Sequence, residues 1–182
     1  IVHKISTGKA KIRMQASVNA ERMHEFSASM IAIFTSNHSL YDKISTYKKN
    51  ANGEVARLIE FNMKKPKCFD DDPTLGVTLF QPLNTNHGHA GTEYIKALFK
   101  YTDEDITSKI DKYIKKIKVD FGDDSTYRFW ENAVAATFAG AEIANEASIV
   151  KFELDHIYDA IISQLINLRD NVFNVNPDKL FS

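Results

Sequence analysis

Apolar residues are spaced in two different ways along this chain, and the change falls between Cys68 and Pro82. Before it they come in short continuous runs, Met30-Ile31-Ala32-Ile33-Phe34 and Val55-Ala56-Arg57-Leu58-Ile59-Glu60-Phe61. Runs that are apolar on both faces and rich in β-branched residues predict strands buried in a sheet covered on both sides. Asn19 is placed to cap a short helix over Ala20 to Phe26. Ser39, or His38 beside it, starts another helix that reaches about Tyr47 and ends at Lys48-Lys49-Asn50-Ala51-Asn52-Gly53. Phe69-Asp70-Asp71-Asp72-Pro73 and Gly76 then supply turn chemistry and break any regular period.

After the break the pattern is helical. A helix from Gly91 to about Tyr101 places Tyr94, Ile95, Leu98 and Phe99 on one stripe. Thr102, followed by Asp103-Glu104-Asp105, caps a second helix that runs to about Val119, with acidic residues suited to the helix dipole. Asp123-Asp124-Ser125 caps a third, in which Phe129, Trp130, Ala133, Val134, Ala136, Thr137, Phe138, Gly140 and Ala141 fill most of the circumference. Such a helix belongs at the centre of a bundle. Leu154, Ile157, Tyr158, Ile161, Ile162, Leu165 and Leu168 recur at spacings of three and four, predicting an amphipathic last helix. The expected fold class is therefore α/β followed by mainly α, with residues 1–82 a partial α/β unit and 83–182 a helical lid or assembly domain.

The 182 residues, 43% hydrophobic and 26% charged, suffice for a real core. A net charge of −1, from 23 basic and 24 acidic residues, removes the simplest case for a nucleic-acid binder and requires any basic patch to be local. No apolar stretch approaches the roughly 20 residues of a membrane span, and no secretory leader pattern opens the chain. The expectation is an intracellular protein without a membrane partner, in the cytoplasm of a host cell if phage-encoded. Cys68 is the only cysteine, which leaves no intrachain disulfide and no cysteine-based zinc site. The opening Ile1-Val2-His3-Lys4 has no initiator methionine and reads as cut from something longer.

Four places have candidate chemistry. Thr35-Ser36-Asn37 ends the first apolar run, and ligands of open α/β sheets bind outside the carboxyl ends of strands, so Asn37 is a candidate polar sensor of a γ-phosphate. The alternative is that the three residues cap the next helix. Arg57 has the planar donor fork that phosphoryl groups prefer and is a candidate arginine finger; its alternative is an ion pair with Glu54 or Glu60. Lys9, Lys11 and Arg13 form a local basic patch suited to a DNA backbone, or simply a solvated charge run. His87 and His89, in Asn86-His87-Gly88-His89-Ala90-Gly91, lack an evident third metal ligand, and no metal residue is assigned.

In succession, Gly8 to Met14, Asn19 to Arg22, Ile33 to Asn37, Val55 to Glu60, Asn86 to Gly91 and Arg128-Phe129-Trp130 with its Ala-rich continuation resemble phage-type P-loop ATPases related to superfamily 3 helicases and primase-helicases. The order agrees over about residues 7 to 170. The resemblance implies the second half of a RecA/AAA+-like core followed by a helical bundle. It also implies ATP and magnesium as cofactors, Thr35, Ser36 and Asn37 at the nucleotide, catalytic roles for Asn37 and Arg57, and a homo-oligomer that moves single- or double-stranded DNA. Neither the phosphate-binding loop nor the strand ending in acidic residues for magnesium is found, and both would precede Ile1, in an upstream ATPase segment. Whether this chain is itself an enzyme depends on that segment. The alternative function is a noncatalytic DNA-binding or assembly module built on the helical half.

Overall fold

The computed structural model describes residues 14–15, 20–21, 31–47 and 56–172. They fall into two compact units, one drawn from residues 1–60 and 172–182, the other from 61–171.

In the first unit, β1 (Met14–Gln15) and β2 (Ala20–Glu21) form a minimal antiparallel ladder, with Met14 opposite Glu21 and Gln15 opposite Ala20. The helix expected over Ala20 to Phe26 is therefore corrected at its start, where backbone pairing overrides a weak local propensity; residues 22–26 lie outside the described ones. Residues 31–36 form no regular element and join no ladder among the described residues, and Ile31, Ile33 and Phe34 are 75%, 89% and 65% exposed. The buried strand expected at Met30 to Phe34 is not formed. A continuous apolar run signals a need for cover, and it does not specify what supplies it. Helix α1 (Leu40–Tyr47) starts where the Ser39 signal places it, with the Ser39 hydroxyl accepting from the Asp42 amide at 3.3 Å. Ala56 and Arg57 form a turn, and residues 58–66 continue without regular structure and outside any ladder among the described residues, so the strand expected over Val55 to Phe61 is also absent from the described part. Apart from the β1–β2 ladder, every regular element among the described residues is helical. The α/β, RecA/AAA+-like class is thus overturned: among the described residues the apolar runs expected to be strands are not assembled into a sheet with helices on its faces.

The second unit opens with α2 (Cys68–Asp71), α3 (Leu75–Phe80) and a 3-10 turn (Gln81–Asn84). The break expected here sits between α2 and α3, where the Asp72 carboxylate accepts from the Thr74 amide and hydroxyl at 2.9 and 2.7 Å. Four longer helices follow: α4 (His89–Leu98), α5 (Asp103–Phe121), α6 (Arg128–Glu146) and α7 (Leu154–Val172). Thr102 and Asp105 close a reciprocal capping box at the start of α5, each bonding the other's backbone amide. Gly122, at φ 108°, ends that helix in a conformation that disfavours any side chain. Asp124 caps a 3-10 turn (Ser125–Tyr127) that leads into α6.

Helix α6 is the central element. Trp130, Ala135, Phe138, Ala139 and Ile143 are almost wholly buried, and the alanines allow α5 to lie close against it. Ile117 and Phe121 face it from α5, and Tyr158 and Leu165 complete the core from α7. Aromatic rings link the layers: Tyr113 to Phe138 at 5.5 Å, Phe138 to Tyr158 at 5.3 Å, and Trp130 to Tyr127 at 5.1 Å between centroids. Helix α4 reaches α6 where Gly140 leaves room for the Tyr94 hydroxyl; a Cβ at that position would lie 3.1 Å from it. Among the described residues no helix is long and apolar enough to cross a membrane.

Candidate functional site

The residues singled out for phosphate chemistry lie around α1. Thr35, Ser36 and Asn37 are all exposed in the turn before it. Ser36 is engaged locally: its hydroxyl donates to the His38 carbonyl at 2.8 Å and accepts from the His38 amide at 3.2 Å. The helix cap is Ser39 instead, so neither Thr35 nor Asn37 is needed for that task. The Glu60 Oε2 accepts the first free amide of α1, Leu40 N–H, at 2.8 Å. A carboxylate there satisfies an orphan donor and complements the helix dipole. One residue on, the buried Tyr41 hydroxyl donates to the Leu58 carbonyl. Burial, and secondarily the Glu60 charge, push that phenol far above its ordinary range, so it stays protonated as a donor.

Two hydrogen bonds thus tie the segment that follows Arg57 to the helix that follows Asn37. Arg57 is half-buried beside the buried Ala56. Lys9, Lys11 and Arg13 lie outside the described residues. Tyr41 is not singled out by the sequence, and Glu60 stands out there only as a possible partner of Arg57, not as a helix cap.

In the second unit, a cluster of charged and phenolic side chains forms a fastener between α5 and α6. Lys109 donates to Glu142 and Glu146, both at 2.7 Å, while Lys112 and Tyr113 donate to the other Glu142 oxygen at 2.7 and 2.8 Å. Tyr101 reaches Glu146 at 2.5 Å from the chain between α4 and α5. Burial on its own lowers the Lys109 pKa, but the two carboxylates more than reverse this and keep the ammonium charged. A lysine held protonated is a poor nucleophile or base, and this cluster acts as structure. Glu131 is different: it is 5% exposed and its Oε1 has no hydrogen-bond partner. Desolvation raises its pKa, opposed by Lys118.

His87 and His89 are both exposed, and they are separated by Gly88 in the left-handed region at φ 81°. The His87 Nδ1 lies 3.0 Å from the Leu83 carbonyl, which ties this ring to the preceding turn. His89 is the first residue of α4. Among the described residues no group of three or more His, Cys, Asp or Glu side chains is arranged to hold a metal ion.

No family model matches the chain, and neither does any curated protein or solved structure.

Proposed function

We propose that this chain contributes the carboxyl-terminal portion of an ATP-dependent DNA helicase or translocase motor, with the principal phosphate-binding loop supplied by residues outside these 182. The reading rests on the motif succession that resembles phage-type P-loop ATPases. The supporting observation is that Leu40–Glu60 and Tyr41–Leu58 fasten the Asn37 and Arg57 segments into one unit. In this reading Asn37, with Thr35 and Ser36, orients water and phosphate without adding charge. Arg57 stabilises the charge that develops on the transferring phosphoryl group of a neighbouring subunit. Lys9, Lys11 and Arg13 contact the DNA backbone. Among the described residues no group of three or more His, Cys, Asp or Glu side chains is arranged to hold a magnesium ion, and in this reading carboxylates outside these 182 residues would hold it.

The test is ATP turnover by the polypeptide or complex that holds the phosphate-binding loop. Arg57→Ala lowers turnover by about 10³-fold or more while nucleotide binding persists, the magnitude expected of an arginine finger. Turnover close to wild type in that variant removes the assignment.

A second reading, a noncatalytic assembly module, is favoured by the surface of the helical unit. Residues 61–171 hold 13 Lys and Arg against 18 Asp and Glu, which opposes DNA binding by that half. Val77, Leu79, Phe80 and Leu83 are each more than half exposed around α3, an apolar surface that suits a protein partner. Salt-sensitive DNA binding by residues 1–182 without nucleotide, lost on neutralising Lys9, Lys11 and Arg13, would count against an assembly-only role.

A further inference from the structure

We propose that the turn joining α5 to α6 is a proton-operated latch. It is closed, with Lys118 on Asp123, while the buried Glu131 carboxyl is protonated, and it opens, with Lys118 transferred to Glu131, when that carboxyl ionises. In the closed form the Lys118 ammonium lies 2.7 Å from the Asp123 Oδ1. Glu131, in the first turn of α6, is 5% exposed, and its buried Oε1 meets no hydrogen-bond partner among the described residues. Two carboxylates thus lie within the influence of one ammonium, and the buried one is left without it.

The charged groups that act on Glu131 come from two elements. Withdrawal from water opposes its ionised form most; Lys118, from α5, favours that form, and Asp123 and Asp124, from the turn, oppose it. On the α7 side, Arg169 and Asp170 act on Tyr127 instead. The carboxyl therefore holds its proton above the ordinary 4.5 in the closed form. Once the turn lifts away, the carboxyl meets water, Asp123 leaves with the turn, and Lys118 is free to pair with Glu131. The open form releases the proton more readily, so opening becomes more favourable as pH rises through the raised value.

The ends of the turn confine the motion. Arg169 donates to the Phe121 carbonyl at 2.7 Å and lies over the Phe121 ring, which holds the end of α5 in place. Gly122, at φ 108°, follows at once, and residues 122–126 are all exposed. Within the turn, the Thr126 amide donates to the Asp124 carboxylate at 2.8 Å and the Tyr127 amide to the Asp124 carbonyl at 3.0 Å. A segment this exposed can open without unfolding the helices beside it. The Lys109–Glu142 cluster lies towards the opposite ends of α5 and α6 and stays closed. The latch belongs to the helical unit and does not rest on the phosphate chemistry proposed for the first.

The experiment is amide hydrogen exchange of the full chain by NMR from about pH 4 to about pH 8, with protection corrected for the intrinsic pH dependence of exchange. Acrylamide quenching of Trp130, the only tryptophan, is read alongside, because its ring lies 5.1 Å from that of Tyr127. In wild type, Thr126 and Tyr127 lose protection at least about tenfold as pH rises, with a midpoint above 4.5. Quenching of Trp130 increases in step, while amides in the middle of α5 and α6 keep their protection. Glu131→Gln stays protected throughout. Lys118→Met, which lacks the partner that receives the ionised carboxyl, moves the midpoint to higher pH.

Constant protection in wild type, or a wild-type pH response in Glu131→Gln, overturns the latch. So does a parallel loss of protection through α5 and α6, which would make the response a general loosening. An unmoved midpoint in Lys118→Met overturns the transfer of Lys118. If Glu131→Gln fails to fold, judged by circular dichroism, Glu131→Met takes its place under the same criteria.

Discussion

Lys109 and Glu142, 33 positions apart, meet at 2.7 Å across the α5–α6 interface with side chains only 17% and 18% exposed. Two charges so far withdrawn from water are tolerated because each is multiply bonded: Glu142 also accepts from Lys112 and Tyr113, and Lys109 also reaches Glu146. Breaking such a pair costs more than forming it contributes, since the survivor keeps its desolvation without its partner. Lys109→Met is expected to destabilise the helical unit by about 3 kcal/mol in urea unfolding. Lys109→Arg, which keeps the charge, costs less.

Acid sensitivity follows from the same carboxylate. Burial alone raises the Glu142 pKa, but the hydrogen bonds from Lys109, Lys112 and Tyr113 hold it at about 2, below its ordinary 4.5. A depressed folded-state pKa contributes stability that is complete above about 4.5 and is lost as pH falls towards about 2. Melting temperature should drop across that window, and the drop should shrink in Glu142→Gln. An equal drop in the variant would show that other carboxylates govern the transition.

Glu131 has the opposite sign. Its buried Oε1 has no partner and its pKa is raised by desolvation, so its charged form opposes folding at neutral pH. Stability rises as pH falls through the raised folded value and levels off below the ordinary 4.5. Glu131→Gln is expected to stabilise the unit by about 1 kcal/mol at pH 7, with the difference vanishing near pH 4. Chemical denaturation at the two pH values measures both.

Trp130 is fully buried, with ring centroids 5.1 Å from Tyr127 and 6.2 Å from Phe121. Trp130→Ala therefore leaves a cavity where the 3-10 turn, α5 and α6 converge, at a cost of about 3–5 kcal/mol. Trp130→Phe, which refills much of that space, should lose distinctly less in the same assay.

The second half of the chain was legible because its signals are local. Thr102 and Asp105 form the cap box their spacing announces, and the three- and four-residue recurrence from Leu154 to Leu168 falls within α7. Ser39 likewise marks the start of α1. The first half misled because a strand is completed by neighbours that lie elsewhere in sequence. Ile31-Ala32-Ile33-Phe34 has the composition of a buried strand, yet nothing within those residues specifies a sheet, and they form no regular element, with Ile31, Ile33 and Phe34 exposed. The short helices around Asp72-Pro73 were hidden by their brevity, since four to six residues hold too few positions to establish a period. Of the candidate site, Asn37 is exposed, but the buried strand expected to present it is not formed among the described residues. The Glu60–Leu40 and Tyr41–Leu58 bonds span 20 and 17 positions and have no local signature.

The Gly122 bend has a kinetic consequence. By turning the chain at φ 108° immediately after α5, it makes α5 and α6 nearest neighbours in sequence as well as in space. α7 is fastened later in the chain, through Tyr158 to Asp120 and Arg169 to the Phe121 carbonyl, across 38 and 48 positions. Closing the shorter loop sacrifices less chain entropy, so the α5–α6 hairpin is expected to form the folding nucleus and α7 to dock onto it. Substitutions at Phe138 would then slow refolding, while those at Leu165 would mainly hasten unfolding. During synthesis, the hairpin can close around its lysine–glutamate fastener while α7 is still inside the ribosome.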